Sequence, residues 1–288
     1  MYKIGIVGNG FVGSSVAFGF SPQCGVDDMD IKINDKDQTK STHPLDEVVN
    51  TSDFIFVSVP TPSNKDGSIN LDIVYNVFRD MDKVNNRTDN VFLLRSTVTP
   101  GTTRKLQRKF KNLNIVFNPE FLTERSAKLD FINQARFILG GRKKDTKKVI
   151  GLYRWRFGQN IPIIDSTYET AELIKYMNNC FFATKVSFLN EMYQIADKCG
   201  VDWDTALDGF VLDGRIGHSH LNVPGPDGHF GFGGSCFPKD IQAMINFAEK
   251  NDINPNVLNG AWNTNLEVRP EEDWKKLKGR AVIDAEKA

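Results

Sequence analysis

Two stretches of the chain carry residue types at spacings that suit chemistry. Near the N-terminus, Gly8-Asn9-Gly10-Phe11-Val12-Gly13 separates two apolar runs. This is G-x-G-x-x-G between a strand and a helix. The first Gly permits the tight turn, the second lets the backbone approach a pyrophosphate, and the third lets helix pack on strand. The helix N-terminus then offers free N–H groups to phosphate oxygens. The next apolar run, Ile31–Asn34, ends at Asp35, 22 residues after Gly13. A carboxylate there would hold the ribose hydroxyls of an adenosine and repel a 2′-phosphate, so NAD is favoured over NADP. Lys36 beside it is an opposing charge. The second stretch is Gly231-Phe232-Gly233-Gly234-Ser235-Cys236-Phe237-Pro238-Lys239-Asp240. Its glycines allow close approach to a ligand and leave bare N–H groups for an anion. A Cys directly after such a loop, with Lys239 and Asp240 behind it, is a candidate nucleophile, because nearby cations favour the thiolate. Cys24, Cys180 and Cys199 have no such surroundings and read as small buried side chains.

Metal chemistry has less support. No CxxC or CxxH pair occurs among the four Cys, which removes the usual zinc and redox-disulfide patterns. His218, His220 and His229 lie near the Gly/Pro-rich segment, but an HxH pair suits a metal only in a strand, and no acid pair accompanies it. They read as polar loop or ligand-contact residues, and no metal is expected.

The elements that must position these groups follow from periodicity. Short runs rich in Val, Ile and Phe read as strands buried on both faces: Lys3–Val7, Ile31–Asn34, Phe54–Val57, Val91–Leu94, Ile115–Phe117, Phe137–Gly140 and Ile161–Ile164. Helical stretches between them imply βαβ units and a parallel sheet. Arg142 to Lys148 holds five basic residues and one acid and reads as the solvated start of a surface helix. Ser166-Thr167-Tyr168-Glu169 has capping-box spacing. A long apolar-periodic helix follows to Lys198, with Gly200 as its stop. A helix of that length crosses a domain or forms a subunit interface. The region from about 200 to 265 reads as helical, interrupted from Pro224 to Gly234. The fold class is therefore α/β: an N-terminal Rossmann-type parallel-sheet domain over residues 1–165, then a mainly helical middle domain over 166–266. The last 22 residues hold six acids, six bases and little apolar material, and read as a linker or tail over 267–288.

Composition bounds the rest. The 288 residues carry 36 Lys plus Arg against 36 Asp plus Glu, with 40% apolar residues. That is ordinary globular composition. Zero net charge argues against a nucleic-acid partner. Scattered Cys fit a reducing compartment, the N-terminus runs straight into a strand rather than a leader, and no apolar run approaches a membrane span. A cytoplasmic protein is expected.

The motifs, taken in order, carry a resemblance. Besides the glycine turn they are Val59-Pro60-Thr61-Pro62; Ser96-Thr97-Val98 with Pro100-Gly101-Thr102; Asn118-Pro119-Glu120-Phe121-Leu122-Thr123-Glu124; Glu172-Leu173-Ile174-Lys175-Tyr176 with Asn179; Asn190-Glu191; Asp213 with Arg215-Ile216-Gly217; and the Cys236 loop. Over about residues 1–265 the chain resembles the UDP-glucose/GDP-mannose dehydrogenase family. The resemblance implies oxidation of a nucleotide-sugar C6 alcohol to the carboxylate with two NAD, through a Cys236 thiohemiacetal and thioester. It implies that Asp240, directly or through water, accepts the alcohol proton, that Lys175 and Asn179 stabilise the oxyanion, and that Glu124 acts as base on the thioester while Thr97 holds a water. It places NAD against Gly8, Gly10, Phe11, Val12, Gly13, Asp35, Lys36, Thr61, Thr97, Glu124 and Lys239. It places the sugar nucleotide against Glu120, Phe121, Leu122, Thr123, Lys175, Asn179, Arg215 and Gly233, with Phe121 readable equally as plain core. UDP-glucose is the favoured substrate, on the Cys-Phe-Pro-Lys-Asp and Pro-Glu-Phe-Leu-x-Glu forms, with GDP-mannose its rival. A homodimer through the middle domain is also implied. Three departures are expected: a shortened segment between Asp35 and Phe54, an insertion over Val223–Gly228 that lines the substrate site, and a chain that stops where the family's third, C-terminal domain would begin. The last motivates an alternative, a non-catalytic NAD-binding or partner-binding derivative.

Overall fold

The computed structural model describes residues 2–27 and 29–284. The chain divides into two compact units, Met1–Thr61 with Leu71–Lys175, and Pro62–Asn70 with Tyr176–Ala288. In the first, β1 (Lys3–Val7), α1 (Phe11–Gly19), β2 (Asp30–Asn34), α2 (Leu45–Thr51), β3 (Phe54–Val57), α3 (Asp72–Val84), β4 (Val91–Leu94), α4 (Thr102–Lys109), β5 (Ile115–Phe117), α5 (Ala127–Ile132), β6 (Phe137–Gly141), α6 (Lys143–Phe157) and β7 (Ile163–Ser166) follow in order. The strands form one sheet in the order β2-β1-β3-β4-β5-β6-β7. The alternation of side chains along each strand sends Ile55, Val57, Phe92 and Leu94 into one core. Phe54, Phe56, Val91 and Leu93 go into the other. Both faces are thus covered, as a Rossmann-type sheet requires.

One pairing departs from the expected parallel sheet. β6 runs antiparallel to β5, with Val116 opposite Gly141 and Phe117 opposite Gly140. The segment between them spends only six residues in helix, at α5, about 9 Å of rise. It does not carry the chain back across the sheet, so β6 enters from the end where β5 left. The last strand is also shifted to Ile163–Ser166.

The long helix α7 runs Tyr168–Cys199, 32 residues. Its N-terminus is capped by Thr167, whose Oγ1 accepts the Thr170 N–H at 3.3 Å. The expected Ser166–Glu169 box does not form: Ser166 Oγ donates to the Leu139 carbonyl, and Glu169 pairs with Arg104. Arginine is the stronger partner for a carboxylate than a lone backbone N–H.

In the second unit α8 (Trp203–Val211), α9 (Phe237–Glu249) and α10 (Asn256–Val268) follow α7. Tyr176, Cys180, Ala183, Phe232, Ile241, Ala243 and Ala261 form its main core. The segment expected to be a linker or tail packs here. Trp274 is 2% exposed and Ala281 1%, and the Ala281 carbonyl accepts the Ser63 N–H at 2.9 Å. Its charges misled because several are used internally: Arg269, itself buried, pairs with Asp227 and Asp273. Residues 285–288 lie outside the described part of the chain.

Candidate active site

In the first unit the glycine turn is built as the sequence demands. Gly8 has φ +90, and a Cβ on it would overlap the Ser58 carbonyl; a Cβ on Gly13 would overlap the Gly8 carbonyl. At Gly10 a Cβ would meet nothing within 4 Å, so that position faces open space. Gly10 is the N-cap of α1 and no side chain caps the helix. The first N–H groups, on Phe11, Val12 and Gly13, therefore have no intrahelical acceptor. Asp35, directly after β2, lies beside this turn. Its carboxylate accepts the Asn9 N–H at 2.6 Å and the Asp37 N–H at 2.8 Å. Lys36 is exposed, and the Asn9 Oδ1 is buried without a hydrogen-bond partner. An open glycine turn, uncapped N–H groups and a fixed acid at the strand end fit a dinucleotide: N–H donors for the pyrophosphate, Asp35 for the ribose.

The loops after β3, β4 and β5 are tied together. Ser96 Oγ donates to the Val59 carbonyl at 2.7 Å and accepts the Val59 N–H at 3.0 Å, which joins the Val59–Pro62 and Ser96–Val98 motifs. Thr61 and Thr97 are both buried. Arg95 Nη1 donates to Asn118 Oδ1 at 2.6 Å, and Tyr153 OH donates to the same oxygen at 2.5 Å. Burial pushes the Tyr153 hydroxyl up to about 12, so it is a donor at every working pH. Sequence reasoning missed Arg95 and Tyr153. Their only signal was an Arg inside an apolar run and a Tyr on the helix that covers it.

From Asn118 the chain reaches Glu120, 6% exposed. Its carboxylate accepts the Leu122 N–H at 2.7 Å and pairs with Lys175 at 3.0 Å. Lys175 Nζ also donates to the Glu120 carbonyl at 2.6 Å and stands 5.4 Å from the centre of the Phe121 ring. The lysine expected at the oxyanion is thus a buried cation already fixed by Glu120. Leu122 is buried, Phe121 half-buried, and Thr123 and Glu124 exposed. The Thr123 hydroxyl and N–H both donate to Asp130. Glu124 lines a cavity of about 320 Å³ with Phe11, Ser14 and Lys128.

In the second unit Cys236 is the N-cap of α9 and Pro238 lies within its first turn. The thiol is half-buried, with the Ser235 hydroxyl 3.8 Å from Sγ. One turn on, Asp240 is 1% exposed. Asn179 Nδ2 donates to its Oδ2 at 2.5 Å, and Lys239 pairs with its Oδ1. Lys239, expected at the cofactor, is itself buried in that pair. Arg215 is 89% exposed at its side chain and pairs with Asp213 in its own turn. Gly233 lies on the Arg269 guanidinium. Of the other cysteines Cys180 is buried, Cys24 intermediate and Cys199 exposed. The buried reading therefore fails for Cys199, which ends α7 where the core no longer covers it. Among the described residues no group of His, Cys, Asp and Glu could hold a metal ion, and no helix is long and apolar enough to cross a membrane.

The glycine loop is held from below by Asn265, which sequence reasoning passed over, and by Asn190, which it named only as part of a motif and without a role. Asn265, 0% exposed, accepts the Phe232 N–H at 2.7 Å and donates to the Phe232 carbonyl at 3.1 Å. Asn190 Oδ1 accepts the Gly231 N–H at 2.9 Å. Buried asparagines in predominantly apolar helices were the available signal.

Comparison with known proteins bears on the family and the fold. Residues 26–155 match the NAD binding domain of the UDP-glucose/GDP-mannose dehydrogenase family, and residues 169–267 match its central domain. A UDP-glucose 6-dehydrogenase of Rickettsia prowazekii is 35% identical over 84% of this chain and 56% of its own length. One of Haloferax volcanii is 30% identical over 99% of this chain and 74% of its own. Among solved structures, a UDP-glucose dehydrogenase of Pyrobaculum islandicum superposes with a TM-score of 0.80 at 26% identity, covering 93% of this chain and 68% of that one. A GDP-mannose dehydrogenase of Pseudomonas aeruginosa gives 0.66 at 26% identity, covering 96% and 71%. The chain spans little more than half the length of several curated relatives it matches. It belongs to the UDP-glucose/GDP-mannose dehydrogenase family, carries matches to that family's NAD-binding and central domains, and so has NAD as its cofactor.

Proposed function

We propose that the protein oxidises the C6 alcohol of a nucleotide sugar to the carboxylate, with UDP-glucose as the substrate, as part of a homodimer formed through the middle domain. The observation that carries this reading is the buried set Asn179–Asp240–Lys239 one turn behind Cys236 at the start of α9. A helix N-terminus favours a thiolate, and burying a carboxylate between an amide and an ammonium has no purely structural need at that point.

NAD, when bound, accepts a hydride from the sugar carbon in each of two oxidations. The chain's own residues do the rest. Asp240, directly or through water, takes the proton of the alcohol oxygen as the aldehyde forms. Cys236 Sγ then adds to the aldehyde carbon, and the new C–S bond yields a thiohemiacetal. That adduct keeps the hydrogen a second oxidation must remove, which a free aldehyde cannot present in this way. Lys175 and Asn179 would stabilise the negative charge on oxygen in each tetrahedral species. The second oxidation leaves a thioester on Cys236. Glu124, with Thr97 holding a water, would deprotonate that water for attack on the thioester carbon. The C–S bond breaks, the thiol is regenerated, and the carboxylate leaves. The backbone of Phe121, Leu122 and Thr123 and of Gly233 would run along the sugar nucleotide, with Glu120 fixing Lys175.

UDP-glucose is preferred because the Cys236 and Glu120 motifs take the UDP-glucose form and the curated relatives above carry that name. The test is NADH formation by the purified protein with NAD and, separately, UDP-glucose, GDP-mannose and UDP-N-acetyl sugars. NADH from UDP-glucose is expected. NADH from GDP-mannose alone moves the substrate. Tight NAD binding with no NADH from any sugar nucleotide sinks the enzymatic reading in favour of a binding module.

A further inference from the structure

Arg269 lies just beyond the matched central domain, in the stretch that composition marks as charged and surface-like. It is instead 2% exposed. A cation removed from water must find compensating partners, and this one makes four hydrogen bonds to three of them. Nε and Nη2 hold Asp273 at 2.7 and 3.1 Å. Nη2 also donates to Asp227 Oδ2 at 2.9 Å, and Nη1 to the Phe230 carbonyl at 3.3 Å. The guanidinium plane then meets Gly233. A Cβ on Gly233 would lie 2.5 Å from Cζ of Arg269, so the loop backbone rests on the plane with no room between. Asp227 belongs to Val223–Gly228, the segment expected from the sequence to be an insertion, and its Oδ1 in turn accepts the His229 N–H at 3.1 Å.

We propose that Arg269 is a positioning residue for the Cys236 loop: its guanidinium is the floor under Gly233, and through Asp227 it tethers the inserted segment to that floor. The proposal rests on the reading of Cys236 as nucleophile and of Gly233 as a substrate contact. Two acids and one carbonyl hold the plane of the arginine in place from three directions, and only a planar side chain leaves the glycine backbone space above it. The insertion is in this way built into the same layer as the loop three residues before the thiol, rather than attached at the surface. A lysine in its place keeps the charge and loses the plane and the fork.

The test reads the thiol rather than turnover. Alkylation of the full chain by iodoacetamide is followed peptide by peptide, with exposed Cys199 as internal reference. Arg269→Met is expected to raise the Cys236 rate relative to Cys199 roughly fivefold or more, because the loop over the thiol opens. Arg269→Lys should not restore the wild-type rate. A folded Arg269→Met protein, melting within about 5 °C of wild type, whose Cys236 rate stays within about twofold, overturns the proposal: Arg269 would then be structural only. Should that variant fail to fold, Asp227→Asn carries the test, because it weakens the tether and leaves the Asp273 pair. A relative rate raised about threefold supports the tether, and an unchanged rate overturns it. If wild type forms no NADH from any sugar nucleotide, the functional reading fails, and the alkylation ratio still decides whether Arg269 sets the loop.

Discussion

At Cys236 the chemistry and the local structure converge on one atom. The thiol sits at the N-terminus of α9, where unpaired N–H groups stabilise negative charge. Cys180 is the contrast: buried beside Asp240 on α7, its thiol is pushed well up by burial first and by the nearby carboxylate second. It stays protonated and inert. Cys236→Ser should therefore cut steady-state NADH formation at least ~10³-fold while NAD still binds, since a serine hydroxyl, un-ionised at neutral pH, is a far weaker nucleophile than a thiolate. Progress curves with NAD and UDP-glucose, alongside NAD binding by fluorescence, check this. A serine variant that keeps within tenfold of wild-type turnover would remove the covalent route and with it the reason for placing a Cys here.

At the scale of elements, α7 carries two glutamates with opposite electrostatics. Glu169 pairs with Arg104, and that hydrogen bond holds its carboxyl down at about 2. Glu172, three residues on, is 0% exposed. Its oxygens accept the Gly101 N–H at 2.6 Å and the Thr103 N–H at 2.7 Å, which ties α7 to the start of α4. Burial raises it to about 7, against the pull of those N–H groups. The signs differ. Glu169, depressed, adds stability that is present above its usual carboxylate range and lost as pH falls toward 2. Glu172, raised, binds its proton more tightly folded than unfolded, so its contribution is most favourable at acid pH and declines as pH rises to about 7. Glu172→Gln should remove that decline. The stability difference between wild type and Glu172→Gln should shrink or reverse by on the order of 2–3 kcal/mol between pH 5 and 8. Urea midpoints across that range check it, and parallel curves would rule it out. The same helix shows what the sequence could and could not disclose. Its length and apolar period were legible, as were the strands and the glycine turn, because periodicity and backbone need are written in residue type. The cap at Thr167 was not, because Glu169 had a better partner 65 residues away in Arg104. The direction of β6 depended on how short α5 turned out to be. Arg269 and Trp274 were hidden in a charged stretch, since composition counts charges and not their pairing. Among the candidate residues, the types of Cys236, Asp240, Asn179 and Lys175 were readable and Asn190 stood in a motif without a role, whereas the supporting Arg95, Asn265 and Arg269 became visible only through contacts.

At the scale of the whole molecule, the equal numbers of acids and bases give no net repulsion between copies, and one surface invites association. On α7, within the second unit, Met177 is 61% exposed, Phe181 63%, Phe188 47% and Ile195 51%. Steps of four and seven residues put these four on one face of the helix. Large apolar side chains in a row at such exposure mark an interaction surface. In a two-fold dimer each of them is used twice, so the same stripe on a second copy covers it. The dimer is a proposal, and it makes a sharp demand. Phe181→Glu places two carboxylates in the covered stripe of each dimer. Desolvating them without partners costs several kcal/mol, enough to move a micromolar or tighter dimer to monomer at working concentrations. Light scattering at micromolar protein should give a dimer mass for wild type and a monomer mass for Phe181→Glu, with the helical circular dichroism unchanged because Phe181 is outside the core. If the dimer is what brings Arg215, bound within its own turn to Asp213, to the sugar nucleotide, NADH formation should fall with the dimer. A wild-type monomer would refute the assembly directly. A dimer unmoved by Phe181→Glu would shift it to another surface and leave the exposed stripe on α7 to a different partner.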